Sequence, residues 1–380
     1  VDDCNIPDAI LAFAEGLALS NYQFLKYLRE SRKKKNSLKK IVLFSKKLKD
    51  EKLRHLQTVT EAVYMTRDLI NEPLSYLTAL QLSREIREMG KKAGFTVEVF
   101  NKKKIEALKM GGLLAVNRGS IDPPTFSVLE WKPEKPVNGK PLVLVGKGIV
   151  FDTGGLSLKP TKESMDQMKS DMAGAAAVAG TMYAVSISKL PVHVIGLIPA
   201  TDNRPDGNAY VPGDVVKMYS GLNVEVMNTD AEGRMILADA LSYAKRYDPS
   251  LVINLATLTG SAAIAIGKYG IVGMGNADKK YFIQLAESGN NVYERIVEFP
   301  FWDEYVELLK SDIADIKNIG GREGGAITAG KFLEYFTDYP FIHLDIAGPA
   351  FLVREDSYRG KGGTGIGVRL FFDFIKNYTG

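Results

Sequence analysis

Cysteine is nearly missing from this 380-residue chain, with Cys4 the only one. A lone thiol excludes an internal disulfide framework and any Cys-based zinc cluster, and it fits a reducing compartment. Histidine is scarce too: His55, His193 and His343 are the full set and none stands in an H-E-x-x-H pattern, so a histidine-built zinc site is not expected. His193 and His343 fall inside apolar runs and read as hydrogen-bonded core residues. No window approaches the roughly 18 uninterrupted apolar residues of a membrane helix, and Val1-Asp2-Asp3 lacks the regions of an export signal. The expectation is therefore a soluble, cytoplasmic protein with no membrane partner. Internal repeats and low-complexity tracts are absent. A dominant charge sign is absent as well, because 49 Lys and Arg face 45 Asp and Glu. The small excess gathers in Arg32-Lys33-Lys34-Lys35 with Lys39, Lys40, Lys46, Lys47 and Lys49. This run reads as a solvated loop in preference to a nucleic-acid surface.

What is present is apolar material: 45% of residues are hydrophobic and 25% charged, enough for a large core or one core plus a smaller partner domain. Apolar positions at helical spacing mark residues 8–30, and Lys40–Ser45 reads as a strand. A helix over 52–70 stops near Asn71-Glu72-Pro73, because the residue before proline is biased out of the helical region. The pattern then alternates: helix 78–93; strands Phe95–Phe100, Gly112–Asn117, Phe126–Trp131 and Pro141–Val145; helix 172–188; strand Val192–Pro199; helix 233–247; strands Leu251–Leu255 and Gly270–Gly275; helix 279–292; strand Phe341–Leu344; and a helix after Gly367. Such alternation predicts an α/β fold whose central sheet is mixed, mostly parallel, and covered by helices on both faces.

In open α/β sheets ligands gather where strands end, so polar residues directly after buried strands come first. Three segments qualify. Gly146 to Gly155 carries Lys147 and Asp152 and continues to Lys159; Met168 to Gly174 carries Asp171; Asn228 to Arg234 carries Asp230 and Glu232. On an extended backbone Asp230 and Glu232, two apart, project to one side, and Gly233 then lets the chain turn into a helix. Acids crowded into one pocket repel unless cations neutralise them, and such oxygen donors suit Mg²⁺, Mn²⁺ or Zn²⁺. Taken singly each residue has a plainer reading: Asp171 as a helix cap, a lysine as a solvated charge. Gly325 to Lys331 imitates a phosphate loop, but Phe332 replaces the Ser/Thr that loop requires. Gly146-Lys147-Gly148 opens like a dinucleotide fingerprint, yet Phe151 stands where its third glycine belongs.

The heptapeptide N-T-D-A-E-G-R is complete at Asn228–Arg234, and Gly-Lys-Gly-x-x-x-Asp-x-Gly-Gly and Asp-Met-x-Gly-Ala-Ala precede it. With these motifs the chain resembles the leucine aminopeptidases, dinuclear metallo-exopeptidases, from about residue 60 onward. The resemblance implies that Asp152 and Glu232 bridge two divalent metals, that Lys147 and Asp171 complete one site, and that Asp230 completes the other. Mn²⁺ or Zn²⁺ is expected, with Mg²⁺ or Co²⁺ also compatible. It further implies that Lys159 is the electrophile beside the scissile carbonyl and that Arg234 holds a bicarbonate serving as general base to the metal-activated water. The first side chain of a peptide with a free N-terminus would enter a pocket of Met168, Thr257, Leu258, Gly260, Ala347 and Ala350, apolar enough for leucine or methionine. Relatives carry an α/β domain ahead of the catalytic one, so residues 1–58 are expected as its remnant plus a linker helix and 59–380 as the catalytic domain. A homo-hexamer, a trimer of dimers, is the implied assembly. Two other readings accompany this one: a two-metal phosphoesterase, and an additional DNA-binding role for the basic run.

Overall fold

A computed structural model describes residues 7–45 and 48–379. Val1, Asp2, Asp3, Cys4, Lys46 and Lys47 lie outside the described residues. Nine strands form one sheet in the order Thr96–Phe100, Thr125–Trp131, Val194–Asn203, Leu142–Gly146, Leu251–Ala256, Phe341–Asp345, Ile271–Gly275 and Ile296–Glu298, with Gly148–Asp152 also pairing with Val194–Asn203. The central pairings are parallel, while Thr96–Phe100, Thr125–Trp131 and the contact between Phe341–Asp345 and Ile271–Gly275 are antiparallel. The sheet is therefore mixed and mostly parallel, as its apolar runs predicted.

Alternation along each strand divides the core between two faces. Leu142 and Leu144 join Leu251, Ile253 and Leu255 under helices Asp50–Asn71, Ala173–Ile187 and Val368–Lys376. Val143 and Val145 join Val252 under Glu232–Ala244 and Gly325–Glu334. Helix Ala173–Ile187 is buried almost throughout, which its run of alanines and glycines permits. Gly174 is the tightest point, since a Cβ there would stand 2.0 Å from the Leu255 carbonyl oxygen. Only glycine lets this helix start directly against the strand ends.

Three local expectations are corrected. Gly111–Asn117 is a helix, not a strand. A short apolar run has no decisive period, and Leu113, Ala115 and Val116 are buried in helical form while the Asp239 carboxylate accepts the Leu113 N–H at 2.9 Å. Residues 40–45 form no strand: Val42 and Phe44 are exposed and Ile41 and Leu43 are only partly covered, so the run lacks the buried face that favours a strand. The first helix, Pro7–Ser20, ends ten residues earlier than the apolar spacing suggested. The basic residues of the next turn, Arg32 to Lys35, are solvent-facing. No helix among the described residues is long and apolar enough to cross a membrane.

Candidate active site

The parallel strands end together, and the chemistry-bearing segments leave from those ends. Lys147 follows Leu142–Gly146, Asp152 closes Gly148–Asp152, the 257–260 loop follows Leu251–Ala256, and Asp345 closes Phe341–Asp345. Glu232 is the first residue of its helix. Asp230 and Glu232 are thus joined through a turn and not along an extended segment, because the first helical residue follows Ala231 directly. The two acids still converge: one carboxylate oxygen each from Asp152, Asp230 and Glu232 lie within 4.8 Å of one another.

Two lysines are threaded into this cluster. Lys147 Nζ stands 2.8 Å from Asp171 Oδ1 and 3.0 Å from Glu232 Oε1, and it donates to the Thr257 carbonyl at 2.8 Å. Lys159 Nζ stands 3.0 Å from Asp152 Oδ2 and 2.5 Å from Asp230 Oδ1. Lys147, Asp152, Asp171 and Glu232 are all buried. Gly233 is required here, because a Cβ at that position would fall 2.4 Å from Lys147 Cε. The Asp171 side chain does not cap helix Ala173–Ile187, whose N-cap position belongs to Met172. Its carboxylate instead takes Lys147 and the Thr257 hydroxyl, the latter at 2.8 Å.

Burial is the largest influence on every charge in the group and opposes all of them. It holds Asp152 well above the usual carboxylate range, with Glu232 and Asp171 adding to the effect. It pushes Asp171 up to about 7 against the pull of Lys147, and it raises Asp230. Glu232 goes the other way, because Lys147 and Lys159 outweigh its burial. The same carboxylates hold both ammonium groups above the ordinary lysine value despite burial.

With all four carboxylates ionised, the two lysines leave an excess of two negative charges, and burial resists that state by holding Asp152, Asp171 and Asp230 above their ordinary range unless a cation compensates them. Asp171 Oδ2 and Glu232 Oε2 are buried with no hydrogen-bond partner. Uncompensated buried oxygens are costly, and oxygen donors of this kind are the natural ligands of hard or borderline divalent cations. The residues fit such ions.

A cleft of about 200 Å³ opens beside the cluster, and Lys159, Asp230, Arg234, Leu258, Gly260 and Ile319 line it. Arg234 is buried, donates from Nη1 to the Asn318 carbonyl at 2.8 Å, and is lowered by burial to about 10. Of the expected pocket residues, Leu258 and Gly260 reach this cleft. Thr257 turns to Asp171, Met168 sits in the 3-10 turn Met165–Ser170, and Ala347 belongs to a turn whose N–H donates to Asp345 Oδ1 at 3.0 Å. Ala350 packs in the hydrophobic core.

The chain as a whole has counterparts among known proteins. The model of the cytosol aminopeptidase family, catalytic domain, matches residues 64–372. The chain belongs to that family. It is 47% identical over 382 residues to a probable cytosol aminopeptidase of Chlorobium limicola, covering 97% of this chain and 75% of the relative. A probable cytosol aminopeptidase of Chlorobaculum parvum is 52% identical over 316 residues. The match takes in 82% of this chain and 62% of that relative, less than two thirds of its length. Among solved structures, the bottromycin maturation enzyme BotP in complex with Mn superposes with a TM-score of 0.90 at 34% identity, covering 97% of this chain and 79% of that one.

Several residues of this family member escaped the sequence reading. Asn203 donates to Asp152, and both Asn203 and Tyr210 donate to the Thr229 carbonyl beside Asp230. Asn318 holds the Asn228 and Arg234 segments together. Asp345 ties the 257–260 loop to the 346–347 turn through Leu258 N, Thr259 Oγ1 and Ala347 N. Asp345 had a legible signal, since it follows the run Phe341–Leu344 directly, whereas Asn203 is set off from its apolar run by Thr201 and Asp202. Tyr210 and Asn318 had none.

Proposed function

We propose that the chain is a metal-dependent aminopeptidase, a hydrolase that removes single, preferably apolar residues from the N-terminus of peptides. The observation that carries this reading is the convergence of Lys147, Asp152, Asp171, Asp230 and Glu232, with buried carboxylate oxygens left over, in a chain of the cytosol aminopeptidase family. These five residues would hold two divalent cations, Mn²⁺ or Zn²⁺ by preference, Lys147 as the neutral amine that has released its proton to solvent. Such a pair supplies Lewis acidity and lowers the pKa of water.

The remaining steps belong to the protein. Lys159 brings an ammonium group to the cleft, where it meets the negative charge that develops on the scissile carbonyl oxygen. Asp152 and Asp230 hold that ammonium in place and keep it protonated through neutral pH. Arg234, anchored by Asn318, offers a cationic seat for a small anion, bicarbonate in this reading, that relays protons as general base. Leu258 and Ile319 give the cleft an apolar wall for the first side chain. A free α-amine is a donor that only a chain end can present to the cluster, so cleavage stops at the first residue. Family membership favours peptide over phosphoester hydrolysis. Homo-hexamer assembly and cytoplasmic residence rest on the resemblance.

The deciding assay compares hydrolysis of Leu-amide with that of its N-acetylated form, before and after chelation and again after Mn²⁺ is restored. The expected outcome is cleavage of the free amine alone, lost with chelator and recovered with metal. Turnover of the blocked substrate, or indifference to chelation, would refute the reading.

A further inference from the structure

Asn203 is the last residue of strand Val194–Asn203 and is buried to 1% exposure. Its Nδ2 donates to Asp152 Oδ1 at 2.8 Å and to the Thr229 carbonyl at 3.0 Å. Neither atom has a proton to give in return: Asp152 Oδ1 already accepts the Gly154 N–H at 2.8 Å, and a carbonyl only accepts. The side-chain amide can therefore sit one way round only, because the reversed amide would set Oδ1 against two acceptors. In this orientation Asn203 Oδ1 is buried without a partner. The site tolerates an orphaned oxygen in order to present two N–H groups.

Thr229 O receives a second hydrogen bond, from Tyr210 Oη at 2.9 Å, and Tyr210 is buried to 1% exposure. Both lone pairs of that carbonyl are in use, so the peptide joining Thr229 to Asp230 cannot rotate without breaking two buried bonds. Around it, Thr229 Oγ1 donates to Gly154 O at 2.7 Å and accepts from Ser157 N at 2.8 Å. The segments that carry Asp152 and Asp230, far apart in sequence, are thus laced together, and Asn203 bonds to both of them, as the Lys159 ammonium also does. Asp152 Oδ1 is consumed by two N–H donors, which turns Oδ2 toward Lys159.

We propose that Asn203 and Tyr210 are positioning residues: together they clamp the Thr229–Asp230 peptide and the Asp152 carboxylate, so that the Asp152, Asp230 and Glu232 side of the site has its geometry before any cation arrives. The proposal rests on the metalloenzyme reading above and adds to it two residues that hold no metal themselves. Preorganised ligands bind more tightly because ordering them is no longer part of binding, and hydrogen bonds to ligating carboxylates commonly change metal affinity by about 10- to 100-fold.

The test titrates Mn²⁺ calorimetrically into the full chain after chelation and records the visible spectrum of the Co²⁺-loaded form. Asn203→Leu removes the donors at similar volume, and Tyr210→Phe removes a single hydroxyl. For one of the two ions the dissociation constant should rise about 10- to 100-fold in Asn203→Leu and roughly 3- to 10-fold in Tyr210→Phe. The other ion should be much less affected, and the Co²⁺ bands should shift. Because both donors serve one carbonyl, the double variant should fall short of the product of the single effects. Dissociation constants within twofold of the parent for both ions, in folded variants with unshifted Co²⁺ bands, would overturn the clamp and leave the aminopeptidase reading standing. A parent chain that binds no divalent cation would overturn both. If Asn203→Leu does not fold, Tyr210→Phe decides alone.

Discussion

Replacing Glu232 by glutamine probes the arrangement most directly. Glu232 is 2% exposed, its Oε1 lies 3.0 Å from Lys147 Nζ, and its Oε2 is buried without a partner. A glutamine carbonyl can still accept from Lys147, so that contact survives while the cluster loses one negative charge. A unit charge about 4 Å from another contributes about 4 kcal/mol at an effective dielectric near 20, so a divalent ion should lose at least that much, roughly a thousandfold in affinity. Stability in the absence of metal should fall modestly at neutral pH, because the attraction of Lys147 and Lys159 that holds Glu232 below its ordinary value is lost. The assay combines Mn²⁺ titration, metal content after gel filtration, Leu-amide hydrolysis and thermal unfolding with chelator. Binding of two Mn²⁺ per chain within tenfold of the parent affinity would refute the argument that this carboxylate holds the cations.

Lys159→Met should separate binding from chemistry: kcat should fall about 100- to 1000-fold, as for loss of one oxyanion donor, while metal affinity holds or improves because a competing cation has left Asp152 and Asp230. Parallel loss of metal would contradict that role. Acidity should act oppositely on metal affinity and on the metal-free fold. Burial raises Asp171 to about 7 and Asp239 to about 7, so between the ordinary carboxylate range and pH 7 the native state binds more protons than the unfolded chain. The stability linked to these groups is present at low pH and declines as pH rises through that window. Chelated protein should accordingly melt higher near pH 5 than near pH 8. Affinity for Mn²⁺ should rise over the same range, by about tenfold per pH unit for each proton displaced. Flat profiles for both would count against the raised acids.

The strands and the motifs were legible because they rest on local chemistry. The Leu/Val/Ile runs at 141–145, 192–198 and 251–255 are too apolar for half-exposed strands, and their cores lie in a sheet covered on both sides. Lys147, Asp152, Asp171, Asp230 and Glu232 stood out by following such runs or by opening helices. The helix at Gly111–Asn117 was not legible, since four consecutive apolar residues suit a strand or a helix equally and the Asp239 carboxylate that caps its N–H comes from 126 residues away.

By itself, then, the sequence determined the α/β layering, the resemblance to a family, and which lysines and acids to look for at the strand ends. Hydrophobic period, glycine placement and short motifs are properties of neighbouring residues. Only the tertiary structure decided that Asp171 pairs with Lys147 instead of capping a helix, that Ala350 packs in the core while Leu258 and Gly260 face the cleft, and that Asn203 joins Asp152 to Thr229. Those outcomes depend on strand ends brought together by the parallel sheet, and contacts between residues dozens of positions apart leave no trace in local pattern.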